Sequence, residues 1–195
     1  STYDPPTNTV GEIFYYVTIA FQGGCDLISS EVASVVVVQE PVAVANNPLQ
    51  IVCLDGTADD FQITLTGGLG NPSYQWYSNT TNNNTGGTPI AGANTNTYTP
   101  DNTTIGTLYY YVVVTQNESG CEVISNTSEV TITPGPTIVT QPVDSEVCLD
   151  GVANQLTIVT QNGVGIPTYQ WYTNTTNSTS GGTPIAGATN STYDP

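Results

Sequence analysis

The chain of 195 residues carries 16 acidic residues and no lysine, arginine, histidine or methionine, so its formal net charge is -16. Without Lys or Arg nothing neutralises phosphate, which argues against nucleic acids and anionic membranes as partners. Without a His or Lys base, no Ser or Thr has a neighbour that would activate it as a nucleophile. We therefore expect no enzyme, no cofactor and no membrane insertion, and a fold held by packing, hydrogen bonds and disulfides without ion pairs.

A period of 95 residues organises the sequence. The segment Pro72 to Pro100 is identical to the one 95 residues later at 20 of 29 positions, and Tyr15-Tyr16-Val17 returns as Tyr110-Tyr111-Val112. Self-similarity at a fixed period is the signature of a repeat architecture. The elements therefore belong to copies of one unit.

Proline-rich junctions mark the limits of these copies, because domain boundaries fall in linkers of this composition. They lie at Pro41 and around Pro134 and Pro136. We predict that residues 1–40 are the C-terminal part of a preceding repeat. Residues 41–136 are a complete repeat, and residues 137–195 are the N-terminal part of a following one.

Within the complete repeat, runs of β-branched and aromatic residues alternate with turn residues, and no helical periodicity appears. Taken along the chain, the predicted strands cover residues 61–65, 73–77, 88–90, 95–99 and 108–115, and a last strand follows the turn at 117–120 and ends near Thr133. Short strands at this spacing are typical of an immunoglobulin-like sandwich. The predicted fold class is thus all-β, with tandem immunoglobulin-like repeats of about 95 residues.

Aromatic residues supply the predicted core. Trp76, and its counterpart Trp171, take the place of the core tryptophan of the third strand, while Tyr109 and Tyr111 belong to a run that resembles a tyrosine corner. An aromatic ligand platform is the alternative role for Trp76. Core packing is the interpretation that the alternating strands favour.

The motifs Cys53-Leu54-Asp55-Gly56, Tyr-Gln-Trp-Tyr at 74–77, Pro-Ile-Ala-Gly-Ala at 89–93 and Gly120-Cys121 resemble a known repeat type. They are similar to the immunoglobulin-like repeats of giant Bacteroidetes surface adhesins, including gliding-motility adhesins exported by the type IX secretion system. The resemblance implies an extracellular, cell-surface location and a role in adhesion or filament formation. It specifies no ligand.

Four cysteines in a chain of this kind favour disulfides over a metal site, since none lies within four residues of another and no His is present. Within one repeat, Cys53 pairs with Cys121, and Cys25 and Cys148 then pair with neighbouring copies. Across the boundaries, Cys25 pairs with Cys53 and Cys121 with Cys148. Free or intermolecular thiols are the third possibility, and we favour the first pairing.

Acidic residues cluster at Asp55, Asp59 and Asp60, where calcium is one interpretation. The next copy keeps Asp150 but has Asn154 and Gln155 at the other two positions, so solvated turn residues are the better interpretation. We predict no metal site.

Two functions from different classes remain. The first is a structural segment of a secreted adhesin or filament, which acts as an extended stalk. The second is a binding module that recognises glycans or surfaces through loops such as 79–87. The five residues Ser1 to Pro5 recur as Ser191 to Pro195. We expect copies to join head to tail, through either a longer polypeptide or the mutual completion of half-repeats by separate subunits.

Overall fold

The computed structural model describes residues 2–46, 48–118 and 120–195, and these residues contain β-strands and no helix. The prediction of an all-β fold is confirmed. In the first part of the chain the strands are β1 (Gly11–Tyr15), β2 (Thr18–Ile19), β3 (Ile28–Ser29) and β4 (Ala33–Val37).

The central part contains the longest strands. They are β5 (Val42–Asn46), β6 (Leu49–Cys53), β7 (Phe61–Thr66), β8 (Pro72–Asn79), β9 (Thr88–Pro89), β10 (Thr97–Tyr98), β11 (Gly106–Gln116), β12 (Glu122–Ile124) and β13 (Ser128–Thr133). The last part contains β14 (Thr137–Thr140), β15 (Leu156–Thr157), β16 (Val159–Gln161), β17 (Tyr172–Thr173), β18 (Thr183–Pro184) and β19 (Thr192–Tyr193).

Two sheets of the central part form a β-sandwich. One has the order β10-β7-β5, and the other the order β6-β13-β11-β8-β9 with β12 beside β11. Rings from the first sheet pack on rings from the second: the ring centroid of Phe61 lies 6.2 Å from that of Trp76 and 5.6 Å from that of Tyr110. Alternation of buried and exposed residues along β7 gives this sheet its apolar inner face.

One predicted strand is divided in the structure. The sequence predicts a single strand up to Thr133, but β12 ends at Ile124 and β13 begins at Ser128. The fully buried Ser125 causes the break, because its hydroxyl accepts a hydrogen bond from Val112 N–H (3.1 Å) and donates one to Asn126 O (2.8 Å). A serine that bonds locally to the backbone competes with the sheet ladder.

The chain forms two compact units. The first comprises Ser1–Pro48, Asp60–Tyr98 and Tyr109–Ser128, and the second comprises Leu49–Asp59, Thr99–Leu108 and Glu129–Pro195. In the first unit, β1 pairs with β4 and β2 with β3, both antiparallel. In the second unit, β6 runs parallel to β13, and the antiparallel pairs are β14 with β16, β15 with β19, and β17 with β18.

Strand pairs of the last part reproduce those of the central part at an offset of 95 residues. Thr137 pairs with Gln161 as Val42 pairs with Thr66, and Leu156 pairs with Tyr193 as Phe61 pairs with Tyr98. Among the described residues of the second unit, β17 pairs with β18 alone, whereas its counterpart β8 also pairs with β11. Residues 137–195 therefore expose a sheet face whose counterpart in the central part is buried.

Candidate assembly surface

Trp76 lies at the centre of the sandwich and is fully buried, as are Phe61 and Val112. Its indole Nε1–H donates to Thr95 O at 2.9 Å, which satisfies the polar atom of the ring inside the core. Ile63 is buried as well. This position makes Trp76 a packing residue with no face available to a ligand.

Two tyrosines, one on β8 and one on β11, stack face to face beside this core. The rings of Tyr77 and Tyr111 are 5.1 Å apart and nearly parallel, at 4°. The Tyr111 hydroxyl also accepts a hydrogen bond from Gly87 N–H at 3.0 Å. Tyr111 is buried, and Tyr109 is half-buried. Strand β11 is thus joined to β8 by an aromatic contact and to Gly87 by a hydrogen bond, on the sheet face opposite Trp76 and Val112.

Residues 137–195 carry the same groups without that cover. Trp171 Nε1–H donates to Asn190 O at 2.9 Å, the counterpart of the Trp76 bond, yet Trp171 is only half-buried. Tyr172, the counterpart of Tyr77, is 61 % exposed. A cleft of about 350 Å³ opens beside it, lined by Tyr172, Asn174, Ser178, Thr179, Gly181 and Gly182. Gly182 corresponds to Gly87, so the cleft lies where the counterpart of Tyr111 would pack.

Residues 1–40 carry the opposite half of the same arrangement. Tyr16 and Val17, the counterparts of Tyr111 and Val112, are 67 % and 55 % exposed. Val17 N–H donates to the Ser30 hydroxyl at 3.0 Å, as Val112 N–H donates to Ser125. The segment that corresponds to β11, which contains β1 and β2, therefore leaves the apolar side chains of Tyr16 and Val17 exposed.

The Asn-rich loop at 79–87 is held by its own side chains. The Asn79 side chain donates to Asn83 O (3.1 Å) and to Thr85 O (3.2 Å), and Asn174 makes the same two bonds in the last part, to Ser178 O and Ser180 O. Asn84 also donates to Ser125 O at 3.0 Å. Because these amides bond the fold itself, the loop serves to position the chain between β8 and β9.

A turn that contains Gly68 and Gly70 packs against the turn that follows β11. A Cβ at Gly68 would meet the Gln116 side chain at 2.5 Å, and one at Gly70 would meet the Glu118 side chain at 2.6 Å. Both glycines also have a positive φ. The close approach of these two turns therefore requires glycine at both positions.

The counterpart of this turn in the last part borders a second cleft. Gly163 and Gly165 line a space of about 490 Å³ together with Cys53, Pro136 and Val164; the remaining lining residues are Thr160, Gln161, Asn162, Pro167 and Thr168. No counterpart of Gln116 or Glu118 covers these glycines in the described second unit. The half-buried Cys53 lies at this cleft.

The cysteines do not form the predicted pairs in this structure. Cys25, Cys53 and Cys148 have free thiols, so neither Cys53–Cys121 nor Cys25–Cys53 nor Cys121–Cys148 is formed. Cys53 is the last residue of β6 and lies opposite Thr133 of β13. The hydroxyls of Thr131 on β13 and Thr107 on β11 are 2.8 Å apart, so Cys53 lies near the start of β11.

Cys121 lies at the other end of that strand, where its carbonyl accepts a hydrogen bond from Gln116 N–H at 2.8 Å. Eleven strand residues span about 35 Å, whereas a disulfide requires Cα atoms within about 7 Å. The length of β11 thus explains why Cys53 and Cys121 are not joined within one repeat.

The acidic residues near the first turn take part in the turn through their backbone. Asp55 has a φ of 58°, and its N–H donates to Asn102 O at 3.0 Å, while Asp59 N–H donates to the Gln50 side chain. In the part of the chain that the structure describes, no three acidic or cysteine side chains converge as a metal site requires. Hydrogen bonds from the Thr103 hydroxyl (2.7 Å) and N–H (3.1 Å) lower the pKa of Asp101.

Residues 43–134 match the family described as a domain of unknown function (DUF8696). The match covers nearly all of β5 through β13, which is the central sandwich. Comparison with curated proteins gives no match. Among the described residues, no helix has the length and apolarity needed to cross a bilayer.

Sequence reasoning did not single out three residues that the structure marks. They are Tyr172, Ser30 and Gly182, the counterparts of buried or closely packed residues of the central sandwich. The signal was present in the period of 95 residues, because each differs from its central counterpart by that offset. What was missing was the knowledge that Tyr77, Tyr111 and Gly87 touch.

Proposed function

We propose that this chain is a structural repeat segment of an extracellular surface adhesin or filament, without catalytic activity, in which copies join head to tail into an extended stalk. The observation that carries the proposal is the complementarity of the two exposed half-faces. Tyr172 and Tyr16 are each more than half exposed, whereas their counterparts stack at 5.1 Å on neighbouring strands of one sheet.

The occupant that fits the exposed face of residues 137–195 is the segment from Gly11 to Ser30 of a second copy. In that position Tyr16 would stack on Tyr172 and accept the Gly182 N–H, as Tyr111 does with Tyr77 and Gly87. Val17 would reach Trp171, as Val112 shares the core with Trp76. Each half-repeat would then bury an apolar face that it cannot bury alone.

Charge and composition agree with an exposed fibre. All charges have one sign, so copies repel one another except where apolar surface is buried, which limits side-by-side aggregation. The likeness to Bacteroidetes adhesin repeats points to the cell surface as the location. In the loop 79–87 the side-chain amide of Asn79 donates its hydrogen bonds to the loop's own backbone, which favours the stalk over the glycan-binding alternative.

The test compares two neighbouring substitutions of equal charge. Val17→Asp places a carboxylate on the face that corresponds to the fully buried Val112, whereas Thr18→Asp places it at the counterpart of the half-buried Val113. We expect the unaltered chain and Thr18→Asp to form head-to-tail oligomers by mass photometry and thin fibres by negative-stain microscopy. Val17→Asp should remain monomeric, because a buried unpaired charge costs several kcal/mol.

A chain that stays monomeric at high concentration would overturn the assembly proposal. Equal assembly of Val17→Asp and Thr18→Asp would also contradict it, since the contact surface would then not be the face that carries Val17. Binding of glycans by the monomer through 79–87 would favour the alternative function.

A further inference from the structure

The cleft at Cys53 lies where a cysteine of the next copy would arrive. In the complete sandwich the turn after β11 packs on Gly68 and Gly70, and its end is fixed by the bond between Gln116 N–H and Cys121 O. Cys121 therefore follows directly after the residues that cover the glycine turn.

The counterpart of that glycine turn, at Gly163 and Gly165, shares its cleft with Cys53. The segment that would cover it in a second copy is Phe21 to Cys25, since Phe21 corresponds to Gln116 at an offset of 95 residues, and Cys25 to Cys121 at an offset of 96. Phe21 is 57 % exposed, and Cys25 is exposed. Docking of the second copy's strand in the place of β11 thus brings its Cys25 to the turn beside Cys53.

We infer that Cys53 of one copy and Cys25 of the next form a disulfide across the junction between successive sandwiches. The inference rests on the proposed head-to-tail assembly and adds a covalent bond to it. Neither cysteine needs a partner within its own repeat, which agrees with the free thiols of both residues.

The chemistry requires an external oxidant of the disulfide class, such as oxidised glutathione. The Cys25 thiolate attacks the glutathione disulfide, forms a mixed disulfide and releases one reduced glutathione. The Cys53 thiolate then attacks the Cys25 sulfur and releases the second. The two protein thiols lose two protons and two electrons in total, and the oxidant becomes two thiols. The bond closes only where the two Cα atoms come within about 7 Å, so assembly must precede it.

The test uses two variants of the 195-residue chain, Cys25→Ser and Cys53→Ser. Each lacks one partner, so a Cys53–Cys25 bond in their mixture can form only between chains. After oxidation with glutathione, digestion at glutamate separates the cysteines, because Glu31, Glu40 and Glu118 lie between Cys25, Cys53 and Cys121. Trypsin has no site in this chain. Mass spectrometry should then find residues 13–31 joined to residues 41–118.

The controls are each variant alone and the mixture with Val17→Asp introduced into the Cys53→Ser chain. Each variant alone should not yield the joined peptide, and Val17→Asp should reduce its yield at least tenfold. Oligomers that form normally while the joined peptide is missing would overturn the disulfide and leave the proposed assembly intact. Absence of both would overturn the two together. A joined peptide whose yield is unaffected by Val17→Asp would show random thiol oxidation and would also overturn the inference.

Discussion

The pair Ser125 and Ser30 offers a direct test of how burial determines the value of one hydrogen-bond motif. In both cases the serine hydroxyl accepts from the N–H of a valine: Val112 at 3.1 Å and Val17 at 3.0 Å. Ser125 and Val112 are fully buried, whereas Ser30 and Val17 are exposed. The perturbation is the replacement of each serine by alanine.

Ser125→Ala leaves the Val112 N–H buried without its acceptor and the Asn126 carbonyl without its donor. An orphaned buried polar group costs about 1–3 kcal/mol. In a domain of this size each kcal/mol lowers the melting temperature by about 4–8 °C. Ser30→Ala exposes the Val17 N–H to water, which replaces the hydroxyl, so the free energy of unfolding of the monomer should change by less than about 0.5 kcal/mol.

Urea unfolding of the dilute monomer, followed by circular dichroism, measures both free energies. Amide hydrogen exchange adds a local readout, in which the Val112 amide should lose protection in Ser125→Ala. The Ser30→Ala chain should form weaker head-to-tail oligomers, because assembly buries the Val17 N–H, which then lacks the Ser30 hydroxyl as acceptor. Equal effects of the two substitutions on the monomer, or a Ser125→Ala chain of unchanged stability, would refute the reasoning.

Three further predictions follow from other contacts. Tyr111→Phe removes the acceptor of the Gly87 N–H and should cost about 0.5–1.5 kcal/mol in urea unfolding, whereas Tyr16→Phe should not change the monomer. Added sodium chloride should raise the melting temperature by screening 16 like charges, and a fall would contradict that account. Thr103→Val removes the hydroxyl donor and should raise the pKa of Asp101 in an NMR titration. Because the pKa of Asp101 is lower in the folded chain, its carboxylate stabilises the fold at pH values above the ordinary pKa of aspartate. This stabilisation is lost as the pH falls through the folded pKa, and the loss should be smaller in Thr103→Val.

Much of the fold follows from the sequence alone. The absence of every basic side chain excludes ion pairs between side chains, and the alternation along Phe61–Thr66 indicates which face of that strand is buried. The period of 95 residues also predicts that the local contacts of Trp76 recur at Trp171, and both indoles donate a bond of 2.9 Å to the carbonyl 19 residues later. These features depend on residue type and local spacing, which a sequence displays directly.

Only the tertiary structure determined which distant residues meet. The parallel pairing of β6 with β13 places Cys53 opposite Thr133, and the length of β11 then separates it from Cys121, which the spacing of the cysteines does not reveal. The break at Ser125 likewise depends on a partner, Val112, from another strand. Strand register and side-chain partners across a sheet are set by the simultaneous packing of segments far apart in the chain. For that reason the stacking of Tyr77 on Tyr111, from which the assembly surface was inferred, appears only in three dimensions.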